Sequence, residues 1–199
     1  MDFVTALSTQ FQLKPWQVQK VMELIDEGNT IPFIARYRKE MTGALNDETL
    51  RNLHERLLYL RNLEEKKEQV INAITEQGKM TDDLKKKILA AETLVAVDDL
   101  YRPYRPKKQT RATKAKEKGL EPLANILLLQ ATSKSMEEEA QSFVDEAKGV
   151  TNAKEALAGA KDIIAEMIAD KADYRKSIRN CTMKQGRLVV KAKDEKAES

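Results

Sequence analysis

The stretch DETLRNLHERLLYLRNLEEKKEQVINAITEQ, Asp47 to Gln77, decides the fold. It runs 31 residues without glycine or proline, from a cap at Asn46 or Asp47 to a stop at Gly78. At 1.5 Å per residue that is a helix ~46 Å long. Leu50, Leu53, Leu57 and Leu60 keep heptad spacing, the same frame puts Glu64 and Lys67 on the seam, and Ile71 and Ile74 restore it. The pattern predicts a helix that packs at both ends and crosses solvent or a polar contact in its middle. Arg61/Glu65 and Glu64/Lys67 then read as surface pairs worth ~0.2–0.5 kcal/mol each. Such a helix joins two helical lobes.

Toward the N-terminus, Phe3, Val4, Leu7 and Phe11 follow helical spacing. Pro15 opens a second helix with Val18, Val21, Met22 and Ile25 on one face and Gly28 as its stop. Thr30 caps a third, which runs through Phe33, Ile34, Ala35 and Tyr37 toward Lys39 before Gly43. Toward the C-terminus, Thr81 with Asp82 and Asp83 starts a helix, and Leu94 to Tyr101 is a short one closed by Pro103. Thr110 to Lys118 has helical propensity, Pro122 starts an apolar helix, and Ser135 caps an acidic one from Met136 to Lys148. Thr151 opens a long helix reaching about Lys184, and Gly159 within it costs ~1 kcal/mol of propensity, which close approach of another helix would explain. Only Arg187 to Val190 reads as strand, and the tail KDEKAES lacks the apolar content to order itself. The expected architecture is all-α and elongated: an N-terminal lobe over 1–46, a connecting helix over 47–78, a second lobe over 79–186, and a short strand with a disordered tail over 187–199.

Composition agrees with helices, since aromatics are only 5% while charged residues reach 34%, a balance unlike that of a sandwich or barrel. One Cys and one His exclude an intramolecular disulfide and a tetrahedral Cys/His zinc site by counting alone. The start, MDFVTALSTQFQL, has no signal-peptide pattern, and no apolar run approaches the ~20 residues of a membrane helix, so the expectation is a cytoplasmic protein with no membrane partner. No phosphate-cradling glycine loop, nucleophile elbow or HExxH is present, and no carboxylates converge on a nuclease-like metal site. His54 reads as a partly exposed helical side chain, Cys181 as an idle thiol, and the neighbours Asp98 and Asp99 as local ion-pair partners pointing ~100° apart. The expectation is a non-enzyme without cofactor or metal.

The feature with most chemistry is YRPYRPKKQTRATKAKEKG, Tyr101 to Gly119, where eight bases meet a single acid, Glu117. Its tandem Tyr-Arg-Pro units read as backbone held extended through Pro103 and Pro106. Arg102, Arg105, Lys107, Lys108, Arg111 and Lys114 would contact phosphates, and the rings of Tyr101 and Tyr104 would stack bases. Arg36, Arg38 and Lys39 form a second basic group. Helix, turn and helix over Pro15 to Lys39 match a helix-turn-helix in outline, yet Ile31, Pro32 and Phe33 stand where a recognition helix presents polar side chains. Phosphate contacts, without base reading, are the expectation there. The competing reading is a protein-interaction scaffold that touches no nucleic acid, marked by exposed apolar surface on the lobe carrying Leu123, Ile126, Leu127 and Leu129.

Four segments together carry a resemblance: TIPFIARYRKEMTGAL (Thr30 to Leu45), LHERLLYLRNLEEKKEQVINAITEQGKMT (Leu53 to Thr81), DDLYRPYRPKKQTRATKAKEKGLEPLA (Asp98 to Ala124) and EALAGAKDIIAEMIAD (Glu155 to Asp170). Their order and content resemble the N-terminal region of the Tex family of bacterial transcription accessory proteins across nearly the whole chain. One departure is Val95-Ala96-Val97, where the family would carry more charge. The resemblance implies a cytoplasmic protein that binds RNA or DNA and influences transcription. It also implies that an RNase H-like domain, a helix-hairpin-helix module and an OB-fold RNA-binding domain would follow RLVVKAKDE, so the sequence reads as a truncated piece whose intramolecular partners lie outside it. The family supplies no catalytic residue for this region.

Overall fold

A computed structural model describes residues 2–106, 109–130 and 132–190. The protein is all-α, and the chain divides into two compact units, residues 1–97 and 98–199.

The first unit holds α1 (Phe3–Phe11), α2 (Pro15–Asp26), α3 (Ile31–Tyr37), α4 (Lys39–Thr42), α5 (Asp47–Glu76) and α6 (Asp82–Ala90). The boundary with the second unit falls inside α7 (Leu94–Tyr101). Local chemistry starts these helices where the sequence places the starts. The Asn46 side chain accepts a 2.7 Å bond from the Thr49 N–H, Thr81 caps α6 through the Leu84 N–H, and Pro15 and Pro32 occupy first-turn positions that need no donor. Leu50, Leu53, Leu57 and Leu60 of α5 are buried against Leu7, Val18, Val21, Leu24 and Ile34. Each such side chain contributes ~1.5–3 kcal/mol by leaving water, so burial of this row is a large part of what holds α5 to the helices before it.

Two expectations for α5 are corrected. After Leu60 the heptad frame holds at Lys67 and Ile74 but not between them: Leu63 and Val70 are buried where the frame put Glu64 and Ile71. In its middle the helix makes the polar contact rather than crossing solvent. Lys67 is 2% exposed, and its ammonium donates to Glu64 Oε1 at 2.8 Å and to the Leu89 carbonyl at 2.9 Å. That second bond satisfies a carbonyl in the last turn of α6 and ties the helix to α5. The Lys67 hydrogen bond holds the Glu64 carboxyl below its usual range against the opposing effect of burial. Arg61 turns away from Glu65 and forms a two-pronged pair with Asp26 of α2, at 2.7 and 2.8 Å.

The second unit continues with α8 (Arg111–Glu117), α9 (Glu121–Leu129), α10 (Met136–Gln141), α11 (Ala153–Ala169) and α12 (Ala172–Gln185). Its core is made largely of small residues: Ala112 and Ala115 of α8 meet α11, where Ala156, Ala160 and Ile163 are buried, and Leu120 and Leu123 close the cluster. Gly159 serves the close approach its place in Ala-Gly-Ala suggests. A Cβ there would stand 2.4 Å from Leu120 Cδ1 and 3.2 Å from Ala115 Cβ, and Leu120 is itself buried.

Three boundaries differ from the sequence reading. The acidic helix stops at Gln141, and the chain instead forms a 3-10 turn, Glu146–Lys148, closed by an antiparallel bridge between Asp145 and Val150. The long C-terminal helix breaks at Asp170 and Lys171, where both flanks have charged anchors: Asp170 accepts from Arg102 Nε, and Arg175 and Arg179 of α12 both reach Asp99. Arg187 to Val190 forms no strand, because among the described residues no neighbouring strand pairs with it, and Leu188 is 93% exposed. The tail over 191–199, expected to be disordered, lies outside the described residues.

Asp99 anchors α12 against α7. It is 5% exposed and accepts from Arg175 Nε at 2.6 Å and from Arg179 Nη2 at 2.5 Å, while α12 buries no side chain of its own. Burial pushes the Asp99 carboxyl up, but the two guanidinium groups outweigh it and hold it below the usual range. A carboxylate depressed in the fold contributes stability above its ordinary pKa of about 3.9 and loses it as pH falls through the lower folded value. The side-chain N–H signals of Arg175 and Arg179 should therefore stay in place from about pH 8 to 5 and collapse only below about pH 4. At neutral pH, Asp99→Asn should accelerate amide exchange across α12 and leave α8 to α11 protected. In the same unit, Gly159→Leu should lower stability by about 1–3 kcal/mol, read as an earlier urea midpoint, because Leu120 has no room to yield.

Candidate nucleic-acid interface

The basic stretch after α7 is built as a turn followed by a helix. Tyr101 ends α7, and Arg102–Tyr104 forms a 3-10 turn closed by a bond from the Arg105 N–H to the Tyr101 carbonyl at 3.1 Å. The expected extended backbone is thus absent over the first Tyr-Arg-Pro unit, because Pro103 fits a first-turn helical position as well as an extended one. Chain extension resumes at Arg105, with φ −65° and ψ 134°. Tyr101 and Tyr104 are half-buried, so neither ring stands clear of the surface. Lys107 and Lys108 lie outside the described residues.

Beyond them, Thr110 caps α8 by accepting from the Thr113 N–H at 3.0 Å, and its hydroxyl donates to Glu166 of α11 at 3.0 Å. Because Ala112 and Ala115 take the inward face, the charged residues beside them, Arg111, Lys114 and Lys116, are left exposed. Arg111, Lys114 and Lys118, three and four residues apart, share one side of a groove of about 320 Å³ between α8 and α11. Glu155 and Asp162 of α11 line the other side.

The cations differ sharply in how far they are already neutralised. Arg102 is committed, its Nε lying 3.0 Å from Asp170, whose side chain is 13% exposed. Lys118 donates to the Gly149 carbonyl at 2.6 Å. Arg111 reaches Asp162 only at 3.7 Å and is 87% exposed, a loose pair that water and salt screen heavily. Arg105 and Lys114 are exposed and form no ion pair among the described residues. Glu155 is occupied locally: bonds from the Thr151 N–H and hydroxyl, aided by the Lys118 charge, hold its carboxyl below the usual range. Of the described candidates in this stretch, Arg105 and Lys114 form no ion pair, Arg111 forms a loose one and Arg102 a close one.

The second basic group sits where α3 meets α4. Arg36 and Lys39 are exposed and unpaired among the described residues, while Arg38 is half-buried, with its guanidinium 5.1 Å from the centre of the Phe33 ring. At the other end of α3, Ile31 and Ile34 are buried in the core beside α2. The first helical residues of α3, Ile31, Pro32 and Phe33, carry no polar side chain, and Thr30 stands exposed at the N-cap. The residues that decide which cations are available, Asp162 and Asp170, carry no local sequence signal, since each lies more than fifty positions from the arginine it meets.

Among the described residues, no group of three or more His, Cys, Asp or Glu side chains is placed to hold a metal ion, and no helix is long and apolar enough to cross a membrane.

Comparison with known proteins agrees with the segments that carried the resemblance. A family model described as the Tex-like protein N-terminal domain matches residues 1–75, and one described as Tex central region-like matches residues 131–199. The chain is 42% identical to the transcriptional accessory protein Tex of Neisseria gonorrhoeae, an alignment covering 100% of this chain and 26% of that protein. It is 45% identical to protein tex of Bordetella pertussis over 94% of this chain and 24% of that protein. It is 33% identical to the human S1 RNA-binding domain-containing protein 1 over 92% of this chain and 18% of that protein. The chain therefore spans about a quarter of the length of these bacterial relatives, and by sequence it belongs to the Tex family, matching its N-terminal and central regions.

Proposed function

We propose that this chain is a helical module of a cytoplasmic transcription accessory protein, and that it supplies sequence-independent contacts to the phosphate backbone of RNA or DNA. The observation that carries the reading is the exposed row of cations on α8. Arg111 and Lys114 lie one turn apart over a packed alanine face, the former 87% exposed and the latter without an ion pair among the described residues, and Arg105 stands unpaired just before them. Cations in this state release bound counterions when they meet phosphates, whereas a cation already matched to a buried carboxylate gains little. The half-buried tyrosines make stacking at Tyr101 and Tyr104 a lesser contribution than the backbone contacts. Family membership supports nucleic acid as the partner, since the relatives carry names of transcription accessory and S1 RNA-binding proteins. The reading assigns the module no catalytic step.

A second reading has its own observation. Leu128, Leu129 and Met136 are 44%, 74% and 56% exposed near the end of α9 and the start of α10, an apolar area suited to docking another protein, such as a further domain or a component of the transcription machinery.

Fluorescence anisotropy with labelled RNA and DNA oligonucleotides at two salt concentrations separates the two. Backbone contact predicts similar affinities for different sequences, a steep loss with salt, and a slope reduced by about two in the double variant R111E/K114E. That variant should bind at least about tenfold more weakly at low salt. Absence of binding to both oligonucleotides at low salt would overturn the proposal and leave the scaffold reading.

A further inference from the structure

The corner between α3 and α4 holds an aromatic feature that phosphate contact leaves unused. Phe33 and Tyr37 are one helical turn apart on α3, with ring centroids 5.2 Å apart and planes inclined at 45°. The guanidinium of Arg38 lies 5.1 Å from the Phe33 centroid, so Phe33 is engaged by both neighbours. Tyr37 rests on that support and remains 60% exposed. Arg36 and Lys39 flank it, both exposed and neither in an ion pair among the described residues, and the segment IPFIARYRK contains no acid before Glu40. The corner itself is fixed from beneath, because Ile31 and Ile34 are buried and Gln17 of α2 donates to the Thr42 carbonyl at 3.1 Å.

We propose that this corner is a binding site for unpaired nucleotides, in which one base stacks on the exposed ring of Tyr37 while Arg36 and Lys39 take the adjoining phosphates. The inference rests on the nucleic-acid reading above and deepens it by naming single strands as the preferred form. A ring already propped by Phe33 loses little freedom on stacking, and cations on either side of an aromatic face suit a chain that alternates flat bases with phosphates. A duplex offers phosphates to Arg36 and Lys39 but keeps its base faces stacked internally, so Tyr37 can add affinity only for single strands. The half-buried Arg38 serves as a positioning residue through Phe33.

The test compares Tyr37→Ala and Tyr37→Phe with the unaltered chain on a labelled single-stranded oligonucleotide and on its duplex, at low salt. Tyr37 is mostly exposed, so both variants should fold, which circular dichroism checks. The proposal predicts about tenfold weaker single-strand binding for Tyr37→Ala, unchanged duplex binding, and near-normal behaviour for Tyr37→Phe, which keeps the stacking face. Equal loss on both ligands, or no change on either, would overturn the stacking site while leaving phosphate contact by α8 intact. Failure of the unaltered chain to bind either ligand would overturn both.

Discussion

The close contact of α8 with α11 is the constraint on which the candidate interface depends. Gly159, Ala115 and Leu120 meet there with no room for another methyl group, and Ala112, Ala156 and Ala160 continue the small-residue face on either side. A helix of seven residues would be marginal in isolation, so α8 owes its persistence to this packing and to the Thr110 cap. Once the alanines face inward, the 3.6-residue period sets Arg111, Lys114 and Lys118 on the flank of α8 that borders the groove beside α11. The electrostatic character of the surface is therefore a consequence of core packing.

The two units solve the burial of charge differently. In the first, Lys67 sits within the α5 seam, where a carboxylate and a carbonyl satisfy it. Such an arrangement recovers the desolvation of a buried ammonium only because both partners are in place. In the second, Asp99 gathers two arginines from α12 and holds a helix that has no buried side chain. In both cases the charge fixes which elements meet, while the aliphatic clusters supply the bulk of the favourable energy.

Much of the helical map was legible in the sequence, because caps and breakers act locally. Asn46, Thr81 and Ser135 cap the helices they precede, and the leucine row from Leu50 to Leu60 names the core face of α5. What escaped depends on distant partners. The burial of Lys67 needs α6, the break after Ala169 accompanies charges on α7 and the turn after it, and the failure of Arg187 to Val190 to form a strand reflects the lack of a pairing neighbour among the described residues. The candidate site divides in the same way. The density of bases from Tyr101 onward was evident, whereas the neutralisation of Arg102 by Asp170 and the looseness of Arg111 with Asp162 required the fold.

The most direct measurement is a backbone amide chemical-shift titration of the isotope-labelled chain with a short single-stranded oligonucleotide in low salt. The account predicts salt-reversible shifts over residues 111–118 and 33–39, with the buried seam of α5 undisturbed. Shifts confined to the apolar end of α9 around Leu128 and Leu129, or none at any residue, would contradict it.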